Sequence, residues 1–164
     1  MQRVNVYRSI GAGFLATAAM TALMYMAPLM GVPKMDIATM LGTMFTTNPS
    51  AAFAIGIAMH FMLGSVLLAI PYFYLIEFKF RDSRWLGGAL WGFLLWGVAN
   101  FMVMPLMGFV HPLVRAGAMP APGLLMLQLG ILAPIGSLMG HLLYGVVLAK
   151  AYGDSYGKAT CNQC

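Results

Sequence analysis

The chain has 164 residues, of which 61% are hydrophobic and only 8% charged. A soluble domain carries about 25% charged residues, so this composition excludes an ordinary soluble globular protein. The formal net charge of +5 does not form a nucleic-acid-binding patch, because the basic residues sit singly or in small groups at the ends of apolar runs.

No Asp, Glu, Lys or Arg lies between Arg8 and Lys34, Asp36 and Glu77, Arg84 and Arg115, or Arg115 and Lys150. Each gap exceeds the roughly 20 residues that cross a bilayer core as helix. The runs lack the alternation of a β-barrel. The expected fold is an all-α integral membrane protein, a four-helix transmembrane bundle in a single membrane domain over 1–164.

Helix 1 is expected over 10–30. It is longer than the roughly 7–15-residue core of a signal peptide, so it reads as a retained span. Gly11, Gly13, Ala16, Ala19 and Ala22 permit close helix approach in lipid. Thr17 and Thr21 can return their hydroxyls to backbone carbonyls. The Gly-Val-Pro at 31–33 ends the helix. Residues 35–45 are too short to cross and read as an interfacial helix. Helix 2 is expected over 50–76, kinked near its end by Pro71. A charged loop follows, in which Glu77 and Arg81 can pair and Trp85 can anchor at the interface. Helix 3 is expected over 86–110, carrying Trp91, Trp96 and Asn100. After a Pro-rich loop holding His111 and Arg115, residues 124–129 again read as interfacial. Helix 4 is expected over 131–152, and a polar tail over 153–164.

Four crossings place both termini and the 78–85 loop on one side. That side holds all the Lys and Arg residues except Lys34 and Arg115. Cytoplasmic ends are enriched in these residues, so both termini are expected in the cytoplasm, with the chain in a bacterial inner membrane.

Two stretches match. Both read His-x-x-x-Gly-x-Val-Leu: His60, Gly64, Val66, Leu67, and His141, Gly145, Val147, Leu148. They lie 141 − 60 = 81 residues apart. Upstream, Gly11-Ala12 matches Gly88-Ala89, and Pro28-Leu29-Met30-Gly31 matches Pro105-Leu106-Met107-Gly108, at an offset of 88 − 11 = 77. This predicts two tandem helical hairpins, about 10–77 and 86–152, forming a parallel internal repeat about an axis along the membrane normal.

An imidazole inside a membrane is costly and marks a candidate site. The repeat puts His60 and His141 at equal depth. Facing across the bundle, they could supply both axial ligands of one haem b, with Gly64 and Gly145, one turn on, leaving room for the ring. The plain alternative is that each histidine packs, bonding a carbonyl or Asn100, within a small-residue face such as Gly56–His60–Gly64.

Methionine is the other unusual feature, at 16 residues. Met20 and Met24, Met26 and Met30, and Met40 and Met44 are spaced four apart, and Met102, Met104 and Met107 cluster. Thioethers suit Cu(I). The spacing resembles the Met-x-x-x-Met element of high-affinity copper transporters, and that element alone; the alternative is flexible apolar filling. Cys161 and Cys164 form a C-terminal Cys-x-x-Cys, a candidate soft-metal dithiol. The only acids are Asp36, Glu77, Asp82 and Asp154, too few and too scattered for paired carboxylates or a triad.

Overall the chain resembles small four-helix bacterial membrane proteins, a resemblance that implies no activity. Three readings stand at this point. The first is a non-catalytic membrane subunit or accessory protein, partnered by lipid and by other membrane subunits or further copies of itself. The second is a haem b electron-transfer subunit using His60 and His141. The third is a copper-handling protein using Met20, Met24, the other methionine clusters, Cys161 and Cys164.

Overall fold

The computed structural model describes residues 5–161, with side chains through residue 153. Arg3 and Cys164 fall outside that description, as do the side chains of Lys158 and Cys161. Among the described residues the chain is helical, with no strand.

Four helical stretches are long and apolar enough to cross a bilayer: Val6–Met30, Pro49–Leu75, Arg81–Val110 and Leu132–Gly153. The first is α1 (Val6–Met26) extended by a 3-10 turn. Asn5 caps it by accepting the Arg8 amide at 3.1 Å, as an N-cap side chain does. Gly31, at φ 83°, closes its far end. Thr17 and Thr21 donate back to Gly13 and Thr17 carbonyls at 2.8 and 2.7 Å, the pattern expected from the sequence.

Helix α2 (Ile37–Gly42) is capped by Asp36, which accepts the Thr39 amide at 2.9 Å. It packs against the next helix. Gly42 abuts the Ala52 backbone and Gly56 abuts the Ala38 backbone, so α2 runs antiparallel along the first two turns of α3 (Pro49–Met62). With no side chain on either glycine, two backbones meet directly, the small-residue contact that substitutes for hydrophobic drive in lipid.

The second and third stretches each contain a π-helical turn. One, Leu63–Leu67, joins α3 to α4 (Ala69–Leu75); the other, Ala99–Val103, joins α5 (Arg84–Val98) to α6 (Met104–Val110). Each precedes a proline, Pro71 and Pro105. A proline has no amide hydrogen and frees the carbonyl four residues back; a π-turn is one way for a helix to take up that break. The irregularity before Pro71 is this π-turn.

After the four-residue α7 (Pro112–Arg115) and a loop, residues Leu124–Leu129 form a 3-10 segment. In it Leu125 and Met126 both take left-handed angles, at φ 55° and 53°. Such angles are unfavourable for non-glycine residues, and here they accompany burial of the Met126 side chain. Helix α8 (Leu132–Cys161) then continues past residue 152, where a polar tail was expected. No proline stands in its way, and a helical glycine costs only about 1 kcal/mol.

The first stretch packs along the fourth, the fourth along the third, and the first along the second. The second and third meet through Trp91, whose indole N–H donates to the Leu68 carbonyl at 3.2 Å. At the end that carries the termini, buried Glu77 accepts the Tyr72 hydroxyl at 2.9 Å and pairs with Arg84 at 3.2 Å. Arg81, its sequence-expected partner, lies over the Phe78 ring. Phe73 stacks on Tyr152 at 4.0 Å, and the Tyr152 hydroxyl accepts the Asn5 amide at 3.3 Å. Three stretches are thereby joined at that end.

Candidate functional site

His60 stands on the last full turn of α3, just before the first π-turn. His141 stands on α8, nine residues into its helix. Side chains from both line one cavity of about 130 Å³, together with Thr17, Met20, Gly64 and Tyr144. Two of the four stretches thus each contribute an imidazole to the same space, and α1 lines it through Thr17 and Met20.

The two rings differ in how they are held. Nδ1 of His141 lies 2.8 Å from the Ser137 carbonyl of its own helix. A carbonyl only accepts, so Nδ1 carries the proton and Nε2 carries the lone pair. Ser137 in turn accepts from Asn100 Nδ2 at 3.2 Å, which ties the third stretch to the ring's supporting turn. His60 has its Nε2 buried with no hydrogen-bond partner among the described residues. A buried nitrogen left so costs about 1–3 kcal/mol, unless something in the cavity satisfies it.

His111 gives the contrast. It is fully buried; its Nδ1 accepts the Leu113 amide at 3.2 Å, and its Nε2 lies 3.0 Å from the Met40 carbonyl and 3.2 Å from the Thr43 hydroxyl. Both nitrogens are used in holding α2 to the loop before α7. That is a packing histidine.

The two glycines of the repeated motif do not open room for a flat ring. A Cβ on Gly64 would run into the Thr17 side chain, and one on Gly145 into the Gly88 carbonyl. Each glycine serves close approach between the two stretches of its own hairpin. The Gly64 carbonyl is also occupied, accepting the Tyr144 hydroxyl across the cavity at 2.6 Å. With about 130 Å³ available, against roughly 300–1,000 Å³ for sites of drug-sized ligands, the space between the histidines suits an ion, water or a few atoms rather than a macrocycle.

A second cavity of about 60 Å³ shares Met20 and His141 with the first, and adds Met24, Met35, Met104 and Met126. A third, of about 180 Å³, shares Met35, Met104 and Met126 with the second and extends to Asp36, Met40 and Met119. The three lie in series from the histidine pair toward the 119–129 segment. Of the methionines singled out in the sequence, Met20, Met24, Met40 and Met104 line this series, whereas Met26, Met30 and Met102 are exposed on the outer surface. Met35 and Met126 carried no sequence signal; only folding brings them to Met104. Among the described residues, no three His, Cys, Asp or Glu side chains converge to hold a metal.

The profile of a protein family matches residues 3–162, nearly the whole chain. The chain belongs to that family, DUF6789, a family of unknown function. No curated protein and no solved structure matches the chain. Family membership therefore adds no chemistry, and the residues around the histidine pair carry the functional argument.

Proposed function

We propose that this member of the family is a non-catalytic integral-membrane subunit or accessory protein, and that its working element is the cavity in which His60 and His141 jointly hold one small ligand. The observation that carries this is the pair itself: two imidazoles from separate stretches line one cavity, and His60 Nε2 is buried with no hydrogen-bond partner among the described residues. Intramembrane ionisable residues are expensive and tend to be functional.

The membrane placement is supported by the outer surface. Phe14, Leu15, Phe53, Leu94, Phe101 and Ile135 are among many large apolar side chains left exposed, whereas soluble monomers rarely expose contiguous apolar patches of more than a few hundred Å². The basic residues at the termini end favour a cytoplasmic location for it, in a bacterial inner membrane. The remaining apolar surface faces lipid and partner subunits or further copies of the chain. The two-hairpin repeat rests on the matched sequence stretches; Gly64 and Gly145 each face the other stretch of their own hairpin, through the Thr17 side chain and the Gly88 backbone respectively.

The test is the bound-metal content and visible spectrum of detergent-purified protein, beside His60→Ala and His141→Ala. The reading expects a bound species in the wild type that each substitution removes. A species retained in both variants, or none in the wild type, overturns the shared site. For topology, Asp82→Cys should resist a membrane-impermeant maleimide applied to the periplasmic face, and Arg115→Cys should react; the reverse pattern overturns the orientation.

A further inference from the structure

We infer that the methionine-lined cavity next to the histidine pair is a binding site for a soft monovalent cation, Cu(I) in the cell and Ag(I) as its analogue. This deepens the proposed function and rests on it, since the second cavity shares Met20 and His141 with the first.

Four separate elements deliver thioethers to one small space. Met20 and Met24 come from α1, Met35 from the segment before α2, Met104 from the start of α6, and Met126 from the 3-10 segment. Met104 and Met126 are both buried, with Met35 packed against them. On the α8 face opposite, a Cβ at Gly140 would lie 3.6 Å from the Met20 side chain, and one at Gly136 would run into Val32 at 2.7 Å before reaching the end of Met35 at 3.7 Å. Gly140 thus leaves room that the Met20 side chain enters, and Gly136 leaves room shared by Val32 and Met35. Met126 is buried from a backbone held at φ 53°, a conformation maintained only where surrounding contacts compensate.

Chemistry selects the ion. No carboxylate lines this cavity. Hard divalent cations need oxygen ligands, usually anionic ones, and a double charge among neutral donors in an apolar interior is strongly disfavoured. Neutral sulfur and a neutral imidazole nitrogen are the donors Cu(I) prefers. His141 fits, because its Nδ1 is occupied by Ser137 and its Nε2 keeps the lone pair.

The experiment uses the full chain carrying Cys161→Ser and Cys164→Ser, which removes the other soft donors, purified in detergent. Cu(I) affinity is read by competition with a chromophoric Cu(I) chelator under reducing conditions, and Ag(I) binding by calorimetry. One ion per chain is expected, with Zn(II) failing to compete. Met104→Leu with Met126→Leu should weaken binding by more than about tenfold, since even outer partners of a metal site are worth that much. Met26→Leu with Met30→Leu, an exposed pair on the first stretch, should change it less than about twofold on the same scale. Leucine for methionine conserves volume, and Met24→Leu alone is the milder variant if the pair fails to fold. Absence of Cu(I) and Ag(I) binding, or equal weakening by inner and outer pairs, overturns the inference. Loss on Met104→Leu/Met126→Leu but not on His60→Ala or His141→Ala would keep the thioether site and overturn the histidine reading; the opposite result would do the reverse.

Discussion

Replacing Gly145 with alanine tests whether the third and fourth stretches meet backbone to backbone. A Cβ at that position would overlap the Gly88 carbonyl and sit 2.8 Å from the Gly92 nitrogen. Neither is the end of a flexible side chain, so the helices must separate. Overpacking of this kind costs roughly 1–3 kcal/mol. It opposes the gain of about 1 kcal/mol from replacing a helical glycine with alanine. Rigid backbone neighbours put the cost at the upper end, giving a net destabilisation of about 1–2 kcal/mol. Gly97 supplies the internal control: it lies in the same long helix as Gly88, and its Cβ would meet nothing within 4 Å. Gly97→Ala should therefore stabilise by about 0.5–1 kcal/mol. The two variants should differ by about 2 kcal/mol in opposite directions, measured by unfolding titrated with a denaturing detergent in micelles. If Gly145→Ala proves as stable as Gly97→Ala, the backbone contact is not there and the packing of α5 on α8 is wrong.

Other outcomes follow from single side chains. Tyr144→Phe removes the 2.6 Å bond to the Gly64 carbonyl and should cost about 0.6 kcal/mol, up to ~1.7, the range for hydrogen bonds between membrane helices; no measurable change in the same titration would argue against that bridge. Glu77→Gln removes the charge that Arg84 pairs with and weakens the acceptor for Tyr72. Arg84 is partly exposed, so the cost should stay near 1–3 kcal/mol rather than that of a fully buried pair; Glu77→Ala should cost more than Glu77→Gln. His111→Ala should destabilise the protein and leave any bound ion untouched, because both its nitrogens are spent on Met40, Thr43 and Leu113; loss of bound ion would place His111 in the site.

What could be read from the sequence followed from period and charge. The four long helices were visible because charge-free runs longer than about 20 residues have few other solutions, and their ends fell within a few residues of expectation save where α8 runs on. His60 and His141 stood out because a polar ring in an apolar run has no packing advantage over leucine. The part played by Gly64 and Gly145 was misjudged. A glycine one turn from a histidine can open space for a ligand or let a neighbouring helix in, and only the position of Thr17 and Gly88 decides between them. The methionine cavity was not legible as a unit. Residues 20, 35, 104 and 126 share no spacing, and Met126 is placed by two left-handed backbone angles at Leu125 and Met126 that no motif in that Leu-rich segment announces. The ion partner of Glu77 was missed for a related reason: the i, i+4 rule favours Arg81, but the helix ends before it.

The shared cavity can be tested without knowing its ligand. In a chain carrying Cys161→Ser and Cys164→Ser, the pair His60→Cys and His141→Cys should be joined in native membranes by Hg(II), which bridges two thiolates, and so stay protected from maleimide labelling after a monothiol wash has stripped singly bound mercury and been removed. A control pair, His60→Cys with Phe93→Cys on the outward face of α5, should remain fully labelled. Protection of the first pair alone is the result the account predicts. Equal labelling of both pairs would contradict it, and would leave His60 and His141 as separate residues on separate helices.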